Sequence, residues 1–400
     1  MEIGKPHLFI EINEKSFVFL AVKYDEDFNF RVLHSVTGES EGISEGKVTD
    51  VNNSSKIIKN YLDIIEKKIH FTFENVIVIN DQKNFSCVNI SGFKRLNGSQ
   101  ILDENISYIL NDIKKLVLDN QSEKSLIHLF NSDFILDHNS LKNPPIGLHG
   151  EFYNHHLTFF LLPKNDLKNL KLLFNKCNLK IDRIILKPFA QGVKKIIDNE
   201  IKETFAAIDI STDKSNISIF KNHSFVYSET FPFGTDIIKK DVSKVCSLNM
   251  NIVKNIFSEL NFNLIKENEE EKYLSEKYFQ KEIFRKISLN HLNDIIMARI
   301  EEIVDIIYRK NVNLKDLQNE TKFIYFTFED SNFFKNLRQN FERMLPEKKV
   351  IRFEERTQDE RTSSCLASAE LTGKGWEREA IPTIQTKKSI ISRLFSTFFK

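Results

Sequence analysis

An α/β fold built from two related halves is what this sequence predicts, and three observations carry the prediction. Apolar runs of strand length alternate with segments of helical period along most of the chain. A strand-turn-strand unit at the start, His7 to Ile12 then Ser16 to Val22, returns about half a chain later as Phe205 to Ile210 then Ser215 to Phe220. Each unit opens on a strand carrying an acidic residue near its end, Glu11 in the first and Asp209 in the second. The last fourteen residues carry a strict amphipathic pattern of a different kind from the body.

The elements follow in order. The opening strands are joined by a tight turn, Ser55 to Ile69 has helical period, and Val76-Ile-Val-Ile79 is a short buried strand. Glu104 to Leu118 reads as a helix, followed by polar loops as far as Asn143-Pro144-Pro145. His156 to Leu162 is a strand, Asp166 to Cys177 a helix, and Arg183 to Leu186 another strand. After the second strand-turn-strand unit, Lys266 to Lys277 is charge-rich and reads as a solvated helix or loop. Ser288 to Arg309 reads as one long helix, Phe323 to Phe328 as a strand, and Asn332 to Leu345 as a helix. Thr372 to Thr386, with Pro382 in it, reads as a linker to the tail.

Composition narrows the function classes. The 400 residues carry a net charge of +1 and no basic stripe with interleaved aromatics, so nothing steers the chain to nucleic acid. Cys87, Cys177, Cys246 and Cys365 stand singly, without the paired spacing of a zinc site or redox couple, and are expected in the core of a protein from a reducing compartment. His149, His155 and His156 match no ligand frame, and Gly373-Lys374-Gly375 is too short for a phosphate loop. No metal site and no catalytic residue is expected. The start lacks the apolar run of a signal peptide and no stretch of eighteen apolar residues occurs, so a cytosolic protein that meets membrane only from the side is expected. Lys, Asn, Ile and Phe are abundant while Gly (12) and Pro (8) are scarce, a bias that an AT-rich genome produces without functional cause.

On a helical wheel, Ile390, Ile391, Leu394, Phe395, Phe398 and Phe399 fill one half of the tail. Ser389, Ser392, Arg393, Ser396, Thr397 and Lys400 fill the other. Large apolar side chains opposite Lys, Arg and Ser suit the lipid headgroup boundary, with Arg393 counted among the membrane-binding residues. The competing reading is a docking helix that closes its own domain or meets a partner protein.

Short segments in order then resemble one family, the bacterial cell-division protein FtsA of the actin and heat-shock-seventy superfamily. Leu141-Lys-Asn-Pro-Pro-Ile-Gly-Leu-His-Gly150 is similar to that family's Ile-Lys-Asn-Pro-Val-Gly-Leu-Ser-Gly with one residue inserted. Cys177-Asn-Leu-Lys-Ile-Asp182 is similar to its Cys-Gly-Leu-Lys-Val-Asp. Ala207-Ile-Asp-Ile210 and Phe231-Pro-Phe-Gly-Thr-Asp236 take the places of the second phosphate hairpin and the loop after it. Asp294 to Glu302 resembles the helix of the Val-Ile-Glu-Pro-Arg-Tyr-Thr-Glu type, and Leu366 to Leu371 the closing helix before linker and tail.

The resemblance implies an actin-like two-lobed ATPase fold with the family's inserted subdomain IC and a C-terminal amphipathic helix. Subdomain IA would take 1–79 and 163–204, IC 80–162, IIA 205–240 and 304–371, and IIB 241–303, with linker 372–386 and membrane helix 387–400. It implies a peripheral protein on the cytoplasmic face of the inner membrane at the division site. Its partners would be the C-terminal tail of the tubulin-like protein FtsZ, anionic lipids, further copies of itself in filaments, and later division proteins. Arg299 and Glu302 fall at the arginine and glutamate of the helix that captures the FtsZ tail, on one helical face. Without the resemblance they are an ordinary surface i,i+3 pair.

The chain departs from the family where nucleotide should sit. Phosphate hairpins need glycine because backbone N–H groups must point at the anion from turns that a Cβ obstructs. The family's Asp-Ile-Gly-Thr is here Glu11-Ile-Asn-Glu-Lys-Ser16, its Asp-Ile-Gly-Gly-Gly-Thr is Asp209-Ile-Ser-Thr-Asp-Lys214, and its Leu-Thr-Gly-Gly is Phe326-Thr-Phe-Glu329. Glu14, Asp213 and Glu329 also add carboxylates, each costing on the order of 3 kcal/mol against a nucleotide at ~5 Å and an effective dielectric near 20. The expectation is therefore a pseudo-ATPase with lost or weakened ATP binding and no required cofactor. Any residual ATP site would use Asp209 toward the metal, Lys15 toward phosphate, and Ser211, with Asn13 and Ser215, as donors. The alternatives are an ATP-binding, polymerising member of the superfamily, or a pilus-assembly protein of the PilM type, against which the lipid-facing tail argues. A sugar kinase of related fold would need phosphate loops that are not present.

One tail should bind membrane weakly and reversibly, because the entropy of ordering it offsets much of the burial of six apolar side chains. Many tails on one filament would bind firmly. Replacing Phe395 and Phe398 by Glu is expected to abolish co-sedimentation with anionic vesicles, and retention on the vesicles would refute the membrane reading.

Overall fold

The computed structural model describes residues 3–82, 84–264, 272–279, 283–329, 331–345, 349–355 and 362–382, so the tail pattern at 387–400 lies outside the described residues. The chain begins with strands β1 (Pro6–Ile12), β2 (Ser16–Tyr24), β3 (Phe30–Glu39), β4 (Ile43–Ser44) and β5 (Lys47–Val48). Helix α1 (Val51–Ile69), strands β6 (Asn75–Asn80) and β7 (Ser86–Arg95), helix α2 (Asp103–Asn120) and strands β8 (Lys124–Leu136), β9 (Asn139–Leu141) and β10 (Phe152–Pro163) follow. Next come α3 (Lys164–Lys176), β11 (Lys180–Leu186), α4 (Lys187–Asn199), β12 (Phe205–Ile210), β13 (Ser215–Lys221) and β14 (Ser224–Phe231). The remainder is α5 (Asp236–Val245), α6 (Met250–Glu259), α7 (Leu289–Val304), α8 (Lys315–Glu320), β15 (Phe323–Phe328), α9 (Ser331–Arg343), β16 (Val350–Glu355), α10 (Ser363–Lys374) and β17 (Glu379–Pro382). Two compact units emerge, one from the described residues of Met1–Lys202, Phe220–Tyr227 and Thr357–Lys400, the other from those of Glu203–Ile219 and Ser228–Arg356.

The first unit holds a five-stranded sheet in the order β11-β6-β1-β2-β3, with β1 parallel to β6, β6 parallel to β11, and the β1-β2-β3 meander antiparallel. Leu8 to Ile12 of β1 are all buried, as a central strand covered on both faces requires. Helix α1 starts at Asp50, whose side chain accepts from the N–H groups of Asn52 and Asn53 at 2.9 and 3.1 Å. It ends at His70 in the left-handed conformation, with Lys67 and Lys68 in the last turn. Helix α10 packs on α4 through small buried residues, Ala367, Ser368 and Ala369, and the Tyr24 hydroxyl donates to the Ala369 carbonyl at 2.7 Å.

A second sheet of this unit runs β17-β8-β10-β7, with β9 paired to β8 and α2 laid across β7. Its core gathers Ile106, Ile109, Ile113, Leu129, Phe159 and Leu161. Two sequence expectations fail here. The stretch after Leu118, expected to be polar loops up to Pro145, contains the thirteen-residue strand β8. The polar residues that interrupt its pattern are satisfied by partners: Asn131 bonds His155 at 2.9 Å, Ser132 meets Thr158, and Asp133 accepts from Ser140 at 2.6 Å. The expected linker from Thr372 is also shorter, because α10 runs to Lys374 and residues 379–382 form β17 on the edge of β8. Trp376 and Arg378 tie this segment down by donating to the carbonyls of His223 and Asn222 at 2.7 and 3.1 Å.

The physical reason for β17 is Glu379, whose side chain is about 1% exposed. One carboxylate oxygen takes the Arg183 guanidinium of β11, and the other lies 2.7 Å from His128 Nδ1 of β8. The Leu186 N–H donates to His128 Nε2 at 3.1 Å, which leaves the imidazole proton on Nδ1 to be donated to Glu379. Burial pushes the Glu379 carboxyl up, but Arg183 and the His128 bond more than offset this and hold it at about 2. Burial holds the His128 imidazole below its usual range.

In the second unit β12, β15 and β16 run parallel in one sheet. Ile208, Ile210, Phe326 and Phe328 of its strands are buried, as are Ile238 and Val242 of α5, Leu292, Ile296 and Ile300 of α7, and Leu337 and Phe341 of α9. The single helix expected over Ser288 to Arg309 ends as an α-helix at Val304 and continues as one wider π turn, Asp305–Arg309, with Arg309 and Lys310 both paired to Asp305. Among the described residues no helix is long and apolar enough to cross a membrane.

Arg183→Met leaves a buried carboxylate without its cation and is expected to cost ~3–5 kcal/mol in urea unfolding. Both Glu379 and His128 have folded pKa values below their unfolded ones, so the unfolded chain takes up protons first as pH falls. Stability should therefore decline as pH falls below ~6.5 through His128, and again between about 4.5 and about 2 through Glu379, which a urea series over pH checks.

Candidate functional site

The two strand-turn-strand units carry the residues picked out for a nucleotide, one in each compact unit. In the first, the β1–β2 turn is closed by Asn13. Its side-chain oxygen accepts from the Lys15 and Ser16 N–H groups at 3.0 and 2.8 Å. Its amide nitrogen donates to Glu11 Oε1 and Ser16 Oγ, both at 3.1 Å. Ser40 Oγ adds bonds to the Asn13 and Glu14 carbonyls at 2.9 and 2.6 Å. Asparagine favours such a turn because its side chain mimics a backbone carbonyl two and three residues ahead. Lys15 stands exposed at the tip.

Behind the turn, Glu11 is buried at the end of β1 and its Oε1 lies 2.8 Å from Lys187 Nζ, the first residue of α4. Lys187 also reaches Asp81 at 3.5 Å. The carboxylate at this position is thus balanced by the chain's own cation. Burial, with the Glu11 charge adding to it, pushes the nearby Cys365 thiol up, so it stays a neutral core residue.

In the second unit the turn joins β12 to β13. The Ser211 N–H donates to the Lys214 carbonyl at 2.8 Å and closes the turn. The carbonyls of Ser211 and Thr212 accept from the N–H groups of Thr235 and Asp236 at 2.9 Å each, where α5 begins. Gly234 makes this approach possible, since a Cβ there would overlap the Ser211 carbonyl oxygen. The Thr212 N–H donates to Glu329 Oε2 at 3.0 Å, and its hydroxyl lies 3.4 Å from the same oxygen. Ser215 Oγ donates to the Phe233 carbonyl at 2.8 Å. Asp209 is half-buried on β12, opposite Thr327 of β15.

Asp209 and Ser211 therefore share one hairpin, while Lys15 belongs to the other unit. The donors named for a residual site, Asn13 and Ser215, are spent on the protein itself, as are the backbone N–H groups of Lys15, Ser16, Ser211 and Thr212. Sequence reasoning saw the missing glycines but not that Asn13 and Glu329 fill the place left by them. An asparagine three residues before a serine was the available signal for the first.

Arg299 and Glu302 come together on α7, and Arg299 also holds Asp241 of α5. Asp241, 58 residues away in sequence, was not foreseen. Its bond, with Glu302 contributing, raises the already high Arg299 pKa. The arginine is thereby fixed at about a quarter exposure, oriented by two carboxylates. The seven residues named for membrane binding lie outside the described residues, and among the described residues no cluster of three potential metal ligands occurs.

No family model matches the chain. Curated relatives named cell division protein FtsA do. That of Buchnera aphidicola subsp. Acyrthosiphon pisum is 22% identical over 248 residues, 62% of this chain and 59% of that protein. That of Rhizobium meliloti is 20% identical over 52% of this chain and 46% of its own length, and that of Escherichia coli K12 is 18% identical over 51% and 48%. The chain thus spans about half the length of the curated relatives it matches. Among solved structures, a PilM–PilN type IV pilus biogenesis complex superposes with a TM-score of 0.57 at 10% identity, over 92% of this chain and 98% of the other. A nucleotide-free diol dehydratase-reactivating factor superposes with 0.52 at 9% identity, over 92% and 100%. The fold is actin-like and the chain is FtsA-like.

Gly234→Ala should drive the α5 start away from the turn and cost about 2–3 kcal/mol, whereas Asn13→Ala should cost about 1 kcal/mol for the lost turn bonds. Urea unfolding of the two variants beside the unaltered chain checks both the size and the order.

Proposed function

We propose that this chain tethers filaments of the tubulin-like division protein FtsZ to the cytoplasmic face of the inner membrane at the division site, and recruits later division proteins there. The observation that carries the reading is an FtsA-like body joined to a strictly amphipathic terminal sequence. The body would capture the FtsZ tail on the α7 face that presents Arg299 and Glu302. The terminal residues Ile390, Ile391, Arg393, Leu394, Phe395, Phe398 and Phe399 would hold anionic lipid. Self-assembly into filaments would turn weak single tails into firm attachment.

The proposed tether works without nucleotide. Closure of both hairpin turns supports this, because Asn13 accepts from two N–H groups and Glu329 from one that a phosphate would otherwise need. The protein is then a pseudo-ATPase that binds rather than turns over. A pilus-assembly role, the reading that PilM would suggest, rests on the fold alone.

The test is flotation of FtsZ polymers with anionic vesicles in the presence of this protein and the absence of ATP. FtsZ is expected to float only when the protein is added. Arg299→Glu should weaken binding of an FtsZ tail peptide at least about tenfold, ~1.4 kcal/mol, while vesicle binding by the protein itself is unchanged. FtsZ that stays unattached with the unaltered protein would refute the tether.

A further inference from the structure

We propose that the β12–β13 turn, Ser211–Lys214, is an anion-holding turn whose resident anion is the chain's own Glu329 carboxylate. The inference deepens the nucleotide-free reading above and rests on it. The strand register places the residue. β15 lies parallel to β12 with Ile210 opposite Phe328, so Glu329 emerges beside the turn. Its own N–H donates to the Ile210 carbonyl at 3.1 Å, adding one bond past the end of the ladder and pinning its backbone there. From that fixed point Oε2 reaches the Thr212 N–H at 3.0 Å and lies 3.4 Å from the Thr212 hydroxyl.

A carboxylate oxygen offers this N–H what a phosphate oxygen would, a charged acceptor at hydrogen-bond distance. The other side of the turn is fixed independently, because its carbonyls at Ser211 and Thr212 are held by the first N–H groups of α5 across Gly234. The turn is therefore clamped from two directions by covalently attached groups. A free anion would have to displace a tethered one whose effective concentration is in the millimolar range or above. The glutamate does more than repel a nucleotide: it holds the turn shape that a bound phosphate would otherwise impose.

Chemical rescue tests this with the full chain. Glu329→Gly deletes the carboxylate and leaves room for a small anion. Thermal unfolding is followed in sodium chloride, sodium formate and sodium phosphate at matched ionic strength. The Gly variant is expected to melt about 3–6 °C lower in chloride and to regain at least half of that in formate or phosphate. The unaltered chain should show only the smaller, general increments of these salts. Equal melting of variant and unaltered chain in chloride, or the same formate and phosphate increments in both, would overturn the proposal. Phosphate stabilisation of the unaltered chain that saturates at low millimolar concentration would overturn it too, by showing that the turn takes an outside anion. Should the Gly variant not fold, Glu329→Gln keeps the size and loses the charge. The Thr212 amide should then exchange with solvent at least about tenfold faster than in the unaltered chain, and unchanged exchange would refute the role. Saturable ATP binding by the unaltered chain would sink the nucleotide-free reading while leaving a positive formate rescue intact. Absent rescue without ATP binding sinks only the carboxylate's role.

Discussion

A carboxylate with no access to water survives as an anion only if other groups replace its hydration, and the first unit is organised around one such group. Glu379 receives the Arg183 guanidinium on one side and the His128 imidazole on the other. Each partner comes from a different strand: β11 belongs to the first sheet, β8 and β17 to the second. The three residues only make sense together. Without β17, Arg183 would be a buried cation with no anion, and without Arg183 the strand carrying Glu379 would be expelled to water. The backbone bond from Leu186 to His128 fixes the tautomer and so gives the triad a direction, from main chain to imidazole to carboxylate. The two sheets of this unit are thus joined by charge.

The same accounting of polar groups explains the two turns. A backbone N–H in a tight turn must find an acceptor. Here the acceptor is Asn13 in one unit and Glu329 in the other. Asn13 and Glu329 thus close from within two turns that carry no glycine. Arg299 follows similar logic at the surface, where Asp241 and Glu302 hold a guanidinium in a set orientation.

What could be read in the sequence depended on where each residue's partner lies. The β1 and β2 strands were legible because their apolar runs are buried within a single sheet, and Arg299 with Glu302 because three residues on a helix are neighbours. β8 was not, since Asn131, Ser132 and Asp133 look like a loop until His155, Thr158 and Ser140 are placed beside them. β17 was hidden for the same reason: a glutamate in a charged stretch three residues before a proline reads as solvated linker unless Arg183, 196 residues earlier, is known to await it. The empty glycine positions were visible in the turns, but the reach of Glu329 to Thr212 spans 117 residues and has no local signature.

The strap at β17 also sets a timetable for synthesis. His128 and Glu379 are 251 residues apart, so the ribosome makes β8 long before the strand that covers its edge. At ~5–20 residues per second, the interval is on the order of 10–50 s. Throughout it the nascent chain carries an uncapped β8 edge, a template for pairing with other chains, together with an arginine that lacks its counter-ion. Emergence of residues 379–382 from the ribosome, rather than of any earlier segment, is then the event that closes this sheet, and the nascent chain depends most on chaperone shielding until that point.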